Sequence, residues 1–381
     1  MIGSVAEVIA WRRELHRIPE LLYDLPLTSS FVAERLREFN VDSLATGVGG
    51  SGLVATIRGN RGRGKSIGLR ADMDALPITE ATGLDYASKH VGRMHACGHD
   101  GHTAMLLGAA RQLSAERDFA GTAVLLFQPA EEGGAGAKAM IDDGVLERFQ
   151  IDEIYGLHNM PGIAPNSFGF RRDAIMAASD IFAIRLSGRG GHAAAPHLSD
   201  DLVLAGASLV QSLQQIVARN VDPLAATVLS VTCFNAGSAE NILPCEALLR
   251  GTVRSLDERA RGSVQERLQT VTDAIGWSQG VKVEVDYTRQ YPATVNAPEQ
   301  AAIAATVAEG LVGKQSVNLQ TPPQLASEDF AYFLQQRPGA FVFLGNGKSA
   351  PLHNPAYDFN DAIIPTGVQF WCSLMKATGA S

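Results

Sequence analysis

Three imidazoles, a thiol and a carboxylate crowd into the stretch Met94-His95-Ala96-Cys97-Gly98-His99-Asp100-Gly101-His102. Imidazole nitrogen and thiolate sulfur are the donors that hold zinc-like divalent ions. Gly98 lets Cys97 and His99 turn toward one point. A lone buried histidine is most often a satisfied core residue, but no common structural role asks for this density of donors. The pattern by itself leaves His95 and His102 open as ligands beside Cys97 and His99.

A second group is Phe127-Gln128-Pro129-Ala130-Glu131-Glu132-Gly133-Gly134, where two adjacent carboxylates end an apolar run and precede flexible glycines. Inside a strand the two would face opposite ways. Past its end, one carboxylate can ligate a cation while the other reaches water beside it, the division of labour that metal-assisted hydrolysis requires. The competing reading is a pair of helix-start glutamates favoured by the helix dipole. Asp72 and Asp74 follow the run Ser66 to Arg70, His158 follows Glu153 to Leu157, and His353 lies beyond Phe341 to Leu344. Each is expected past the carboxyl end of a buried strand, the edge at which open α/β sheets bind ligands.

Those runs, with Leu53 to Ile57 and Thr122 to Phe127, are short, apolar and bounded by turn residues, and they alternate with amphipathic stretches such as His102 to Leu113. Val5 to Phe39 has helical spacing interrupted near Ile18-Pro19, which predicts two helices. The expected fold class is therefore α/β, a mixed β-sheet covered by helices. The basic stretch Arg58 to Lys65 reads as a solvated hairpin turn between two strands.

From Ile181 the texture changes to an alternating run up to Leu186, a helical Leu202 to Ala218, strands at Ala226 to Cys233 and Ala247 to Arg254, another helix, and the alternating Val281 to Tyr287. The order β-α-β-β-α-β predicts a ferredoxin-like unit of about a hundred residues. α/β texture resumes near Pro298, so this unit is expected as an insertion at 179–290, with the surrounding domain in two parts, 1–178 and 291–381.

With 381 residues, 46% hydrophobic and 19% charged, the chain has the balance of a globular protein with room for two domains. A formal charge of -8 argues against nucleic acid or an acidic membrane as partner and leaves a small molecule. The cysteines Cys97, Cys233, Cys245 and Cys372 are too scattered for a disulfide framework, which fits a reducing cytoplasm. Glu7, Arg12, Arg13 and Glu14 interrupt the apolar residues at the start, unlike a signal peptide. No run approaches the ~18 apolar residues of a membrane span.

These motifs together resemble the M20 family of metallopeptidase-like amidohydrolases, in the subgroup of hippurate hydrolases, auxin-conjugate hydrolases and N-acyl-amino-acid deacylases. The resemblance spans nearly the whole chain. It is carried by Leu15-His16-Arg17-Ile18-Pro19-Glu20, Leu69 to Pro77, Met94 to His102, Phe127 to Gly133, Gly156-Leu157-His158-Asn159, Gly190-Gly191-His192 with Pro196-His197, and Ser327-Glu328-Asp329-Phe330. It implies Cys97, His99, Glu132, His158 and His353 as ligands of two divalent ions (zinc, manganese, nickel or cobalt), with the Cys97 thiolate bridging them. It makes Glu131 the general base. Asp72, Asp74 and Asp100 are then carboxylates that orient ligating imidazoles. By the same resemblance, the inserted domain is expected to form a homodimer or dimer-based oligomer, with His192 as donor to the oxyanion and Asn241 and Arg254 as holders of the substrate carboxylate.

The implied reaction is hydrolysis of an N-acyl amino acid to a carboxylic acid and a free amino acid. Its rivals are a dipeptidase or aminoacylase of another branch, a Cys97 nucleophile paired with His99 or His102, and a non-catalytic binding protein. The stretch Gly188 to His192 also resembles a phosphate loop, but it lacks the Lys-Ser/Thr ending.

Overall fold

Strands that run apolar without alternation need cover on both faces. That is how β3 (Ser66–Asp72), β4 (Thr122–Gln128) and β5 (Glu153–Pro161) sit, each buried along nearly its whole length. With β1 (Ser43–Val48), β2 (Gly52–Arg58), β6 (Phe168–Gly169) and the later strands Val317–Asn318 and Gly339–Gly347 they form one eight-stranded sheet. Its order is β1, β2, β4, β3, β5, Gly339–Gly347, β6, Val317–Asn318. The central four strands, from β4 to Gly339–Gly347, are mutually parallel, whereas β2 and β6 join them antiparallel. The sheet is mixed, as expected.

The two expected N-terminal helices are α1 (Val5–Arg17) and α2 (Pro26–Glu38), the second opening on a proline in its first turn. α1 and the C-terminal helix Ile364–Thr378 both pack on α3 (His99–Glu116). Val8, Trp11, Leu15, Met105, Leu106, Ala109, Val368 and Trp371 bury the shared surface. α3 is enclosed from His99 through Ala110, so the imidazoles at its start lie at the edge of the main core. A short helix, α4 (Gly136–Asp142), comes after β4.

The basic stretch after β2 differs from expectation. β2 and β3 are not neighbours, because β4 lies between them and pairs with both. The segment 59–65 therefore spans the start of β4 instead of making a hairpin. The Gly59 amide donates to the Gly121 carbonyl, and the Thr122 amide donates to that of Lys65.

The structure, a computed structural model, describes residues 5–379, which divide into two compact units. The first ends its opening part at Ile175 and takes up the chain again at Val295–Pro322 and from Asp329 onward. The second covers Met176–Thr294 and the short return Pro323–Glu328, which the expected insertion at 179–290 does not include. Its elements are β7 (Ala178–Ser187), α5 (Leu202–Gln215), β8 (Thr227–Ala236), β9 (Glu246–Ser255), α6 (Glu258–Gln279) and β10 (Lys282–Arg289). The sheet order β8, β9, β7, β10 is antiparallel throughout. Alternation in β7 turns Phe182, Ile184 and Leu186 into one core with Ala205, Leu209 and Leu213 of α5 and Val264 and Leu268 of α6. Both helices start on an aspartate cap, Asp201 accepting from the Leu204 amide and Asp257 from the Ala260 amide.

A single buried charge cluster ties β7, α6 and β10 together. Asp180 accepts three bonds from Arg261, one at 2.5 Å and two at 3.1 Å, and one from the Tyr287 hydroxyl at 2.7 Å. Removing one partner of a buried pair strands the other charge, at a cost of about 3–5 kcal/mol. Arg261→Ala is therefore expected to lower the urea midpoint of this unit by that order of stability, and an unchanged midpoint would count against the cluster as a stabilising element.

Candidate metal centre

The parallel centre of the sheet delivers its carboxyl ends to one edge, and the donors gather there. Asp72 ends β3, Asp74 follows it, and Glu131 and Glu132 follow β4. His158 lies within β5, which runs on to Pro161, so it sits inside the strand and not beyond its end as expected. His353 follows the strand Gly339–Gly347 and is held in place by its amide, which donates to the carbonyl of Ala96 at 2.8 Å. Cys97 immediately precedes Gly98, whose φ of 90° turns the chain into α3 with His99 at its first position. A side chain at Gly98 would strike Asn159 and the Tyr357 hydroxyl, at 2.3 and 2.8 Å.

The ligand atoms of Cys97, His99 and His158 lie within 4.8 Å of one another, as do those of Cys97, Glu132 and His353. Cys97 is common to both groups. Glu131 joins His99 and Glu132 in a third group of the same tightness. The structure thus brings together Cys97, His99, Glu132, His158, His353 and Glu131.

Hydrogen bonds fix which imidazole nitrogens are free. His99 Nδ1 is 2.7 Å from the Asp74 carbonyl, which only accepts, so Nδ1 carries the proton. Its Nε2 is buried without a hydrogen-bond partner. His158 Nδ1 donates to the Asn159 carbonyl at 2.6 Å, which leaves Nε2 unprotonated 3.4 Å from the Cys97 sulfur. His158 Nε2 offers a buried lone pair, and His99 Nε2 would offer a second once a cation displaced its proton; beside a thiol and carboxylates these make the donor set of a zinc-like cation, and the carbonyl partners are the kind that orient metal-binding imidazoles. The residues fit a metal site.

His102, left open by the sequence, has both nitrogens engaged. Nδ1 donates to Asp72 at 2.6 Å, and Nε2 accepts the Asn159 amide at 3.0 Å. His95 is buried, with neither ring nitrogen partnered, and burial lowers its pKa to about 3. It belongs to none of the donor groups found among the described residues.

Electrostatics describe the same centre. Burial opposes a charged His99, yet Asp72, Asp74 and Glu132 outweigh it and raise its pKa to about 10. Burial also opposes ionisation of Glu132, but His353 and His99 hold its pKa below the usual range. His158 moves the other way, well below its ordinary value, through burial and the nearby His102.

The three aspartates act differently from one another. Asp72 does touch an imidazole, that of His102, and lies 3.7 Å from His99 Nε2. The Asp74 carboxylate lies 3.6 Å from His99 Nδ1 and also accepts the backbone amides of Glu131 and Glu132, at 2.9 and 3.1 Å, while its carbonyl takes the His99 proton. Asp100 does not meet an imidazole of the donor groups: its partners are His16 Nδ1 at 2.8 Å and Arg12 Nε at 2.9 Å. The reason is direction, since residues one apart on a helix do not share a face.

Behind the centre lies a network that the sequence did not assign. Arg70 bonds Asp72, Gln128 and Asp329, and Gln128 Nε2 also donates to Asp329. The signal for it is a charged residue inside an otherwise apolar strand, which cannot stay buried unpaired.

In the second unit, His192 lies on a two-residue strand, with Ile242 opposite it. The Ala194 amide donates to His192 Nδ1 at 3.0 Å, which places the ring proton on Nε2. The neighbouring Asn241 carbonyl accepts from Ala193. Arg254 is half-buried on β9 and donates to the Val253 carbonyl.

A model of peptidase family M20/M25/M40 matches residues 68–377, and the chain belongs to that family. It is 41% identical to the hippurate hydrolase of Campylobacter jejuni, over 95% of this chain and 94% of that protein. It is equally 41% identical to the N-acetyl-L-cysteine deacetylase of Bacillus subtilis, over 94% of this chain and 85% of that protein. A solved Bacillus subtilis structure described as a dinuclear metal binding peptidase of the M20 family superposes with a TM-score of 0.86 at 32% identity, covering 97% of each chain.

Beside the centre, His16 and Glu80 form a titrating pair. Burial disfavours the His16 cation, but Asp100 and Glu80 outweigh it and raise the pKa from 6.5 to about 9, while Glu80 is held near 2. The raised imidazole stabilises fully below pH 6.5 and loses its contribution as pH climbs through about 9. Thermal melts should show that alkaline loss in the parent and a smaller one in His16→Gln; equal losses would refute the assignment.

Proposed function

We propose that this protein hydrolyses the amide bond of N-acyl amino acids with two divalent cations bound at the Cys97 centre. One observation carries the reading: two donor groups share the Cys97 sulfur, and Glu131 stands beside them. His99 and His158 would complete one cation site with Cys97, and Glu132 and His353 the other. Zinc, manganese, nickel and cobalt all suit such donors. The bound pair would supply Lewis acidity, acidifying water and polarising the acyl oxygen.

Glu131 has the residue chemistry left over for proton transfer. Its carboxylate takes the proton of the attacking water as the carbon–oxygen bond forms, and returns it to the leaving nitrogen as the carbon–nitrogen bond breaks. His192, with its proton on Nε2, is the candidate donor to the oxyanion, a role worth about 3 kcal/mol of barrier. Asn241 and Arg254 are the candidates to hold the substrate carboxylate. A homodimer built through the second unit and a cytoplasmic location complete the proposal. Among the described residues no helix is long and apolar enough to cross a membrane.

The test is a panel of benzoyl-glycine, N-acetyl amino acids and dipeptides, assayed with each metal restored to stripped protein. Glu131→Gln should keep its metal and lose roughly 10²–10⁴-fold in turnover, whereas Cys97→Ala should lose at least one ion by elemental analysis. Full turnover in Glu131→Gln, or two tightly held ions in Cys97→Ala, would overturn the corresponding assignment. Hydrolysis that survives complete chelation but not thiol alkylation would favour Cys97 as a nucleophile instead.

A further inference from the structure

Glu131 and Glu132 ride on a loop, residues 129–136, whose backbone is held in a costly shape. Ala130 and Ala135 have φ of 54° and 55°, and Gly133 of 93°. Alanine rarely adopts this region, and such strain persists only where surrounding contacts over-determine it. Asp329 grips the two ends, accepting from Gln128 Nε2 at 2.8 Å and from the Ala137 amide at 2.9 Å. Asp74 takes the amides of Glu131 and Glu132 from within.

The outer side is held by Tyr23, whose hydroxyl donates to the Gly134 carbonyl at 2.6 Å. Its ring occupies a slot that exists because two residues lack side chains. A Cβ on Gly50 would lie 3.1 Å from Tyr23 Cδ1, and one on Gly134 would lie 3.2 Å from Cε2. The turn at Gly50 is anchored as well, since the Gly49 amide donates to Asp143, just past α4. Tyr23 is also fixed from its own side. The Glu20 carbonyl accepts the amide of Ala75, next to Asp74, and the Glu20 carboxylate accepts the amides of Leu27 and Thr28. Loop, α4, turn and the solvent-facing Tyr23 segment are thus linked to one another by contacts on the outer side of the loop that carries the two glutamates.

We propose that Tyr23 is a positioning residue, which acts through the Gly134 carbonyl to hold the loop so that Glu131 and Glu132 face Cys97 and His99. The kinetic part of its test rests on the hydrolase reading; the loop measurement does not. Tyr23→Phe keeps the ring in its slot and deletes only the hydroxyl. In the metal-loaded protein, kcat should fall roughly three- to tenfold, the worth of one hydrogen bond. KM and metal content should stay at parental values, and the melting temperature should stay within about 2 °C of the parental one. Amide hydrogen exchange should quicken at 131–136 and not elsewhere, and Tyr23→Leu should lower kcat further. A parental kcat in Tyr23→Phe overturns the proposal, and so does a loss accompanied by faster exchange throughout the unit and a lower melting temperature. Were the parent to hydrolyse none of the panel, the functional reading would fail, and local exchange alone would decide whether Tyr23 tethers the loop.

Discussion

Concentrated negative charge out of water is the constraint on which the rest of the first unit depends. Asp72, Asp74, Glu131 and the Cys97 thiol are all buried, with Glu132 nearly so. Charges taken out of water demand compensation. Arg70 compensates for Asp72 and Asp329, and the rise of His99 to about 10 shows the remaining field seeking a positive charge. A divalent cation answers that demand better than a proton, because it draws on several donors at once. The covered parallel sheet and the enclosed start of α3 hold those donors in place.

Much of the precision comes from backbone groups. The Asp74 carbonyl sets the tautomer of His99, and the Asn159 carbonyl sets that of His158. A backbone carbonyl within or beside a strand has no side-chain rotamers, so both rings are oriented without a further layer of flexible residues. Asn159 does more than this: its side chain donates to the Cys97 carbonyl, and its oxygen accepts from Tyr357. One residue thereby couples the thiol-bearing loop, β5 and the segment that carries His353.

The sequence disclosed the donor types and the sheet edge, because metal donors are chemically rare and buried parallel strands leave unbroken apolar runs. It did not disclose sheet order. The run from Arg58 to Lys65 looks like a hairpin, and only the long-range insertion of β4 shows otherwise. Nor did it disclose side-chain direction. Asp74 and Asp100 are equally suited by type to support an imidazole of the centre, yet Asp74 lies beside His99 and also holds the glutamate amides, whereas Asp100 turns to a distant histidine and arginine. Arg70 announced the need for a partner, but Asp329, 259 positions away, carries no local mark of being that partner.

Local rules are broken where the donors converge. Ala130, Ala135 and His353 all take positive φ, although none is a glycine. Consistent sequences avoid such conflicts except where another requirement outranks local preference. Here the requirement is to turn a strand end abruptly, so that adjacent glutamates leave the alternation of the strand and face one centre. An extended chain would send Glu131 and Glu132 to opposite sides of the sheet. The strained turn is what allows neighbouring carboxylates to serve two roles in one place, and the contacts around it are the means of keeping it strained.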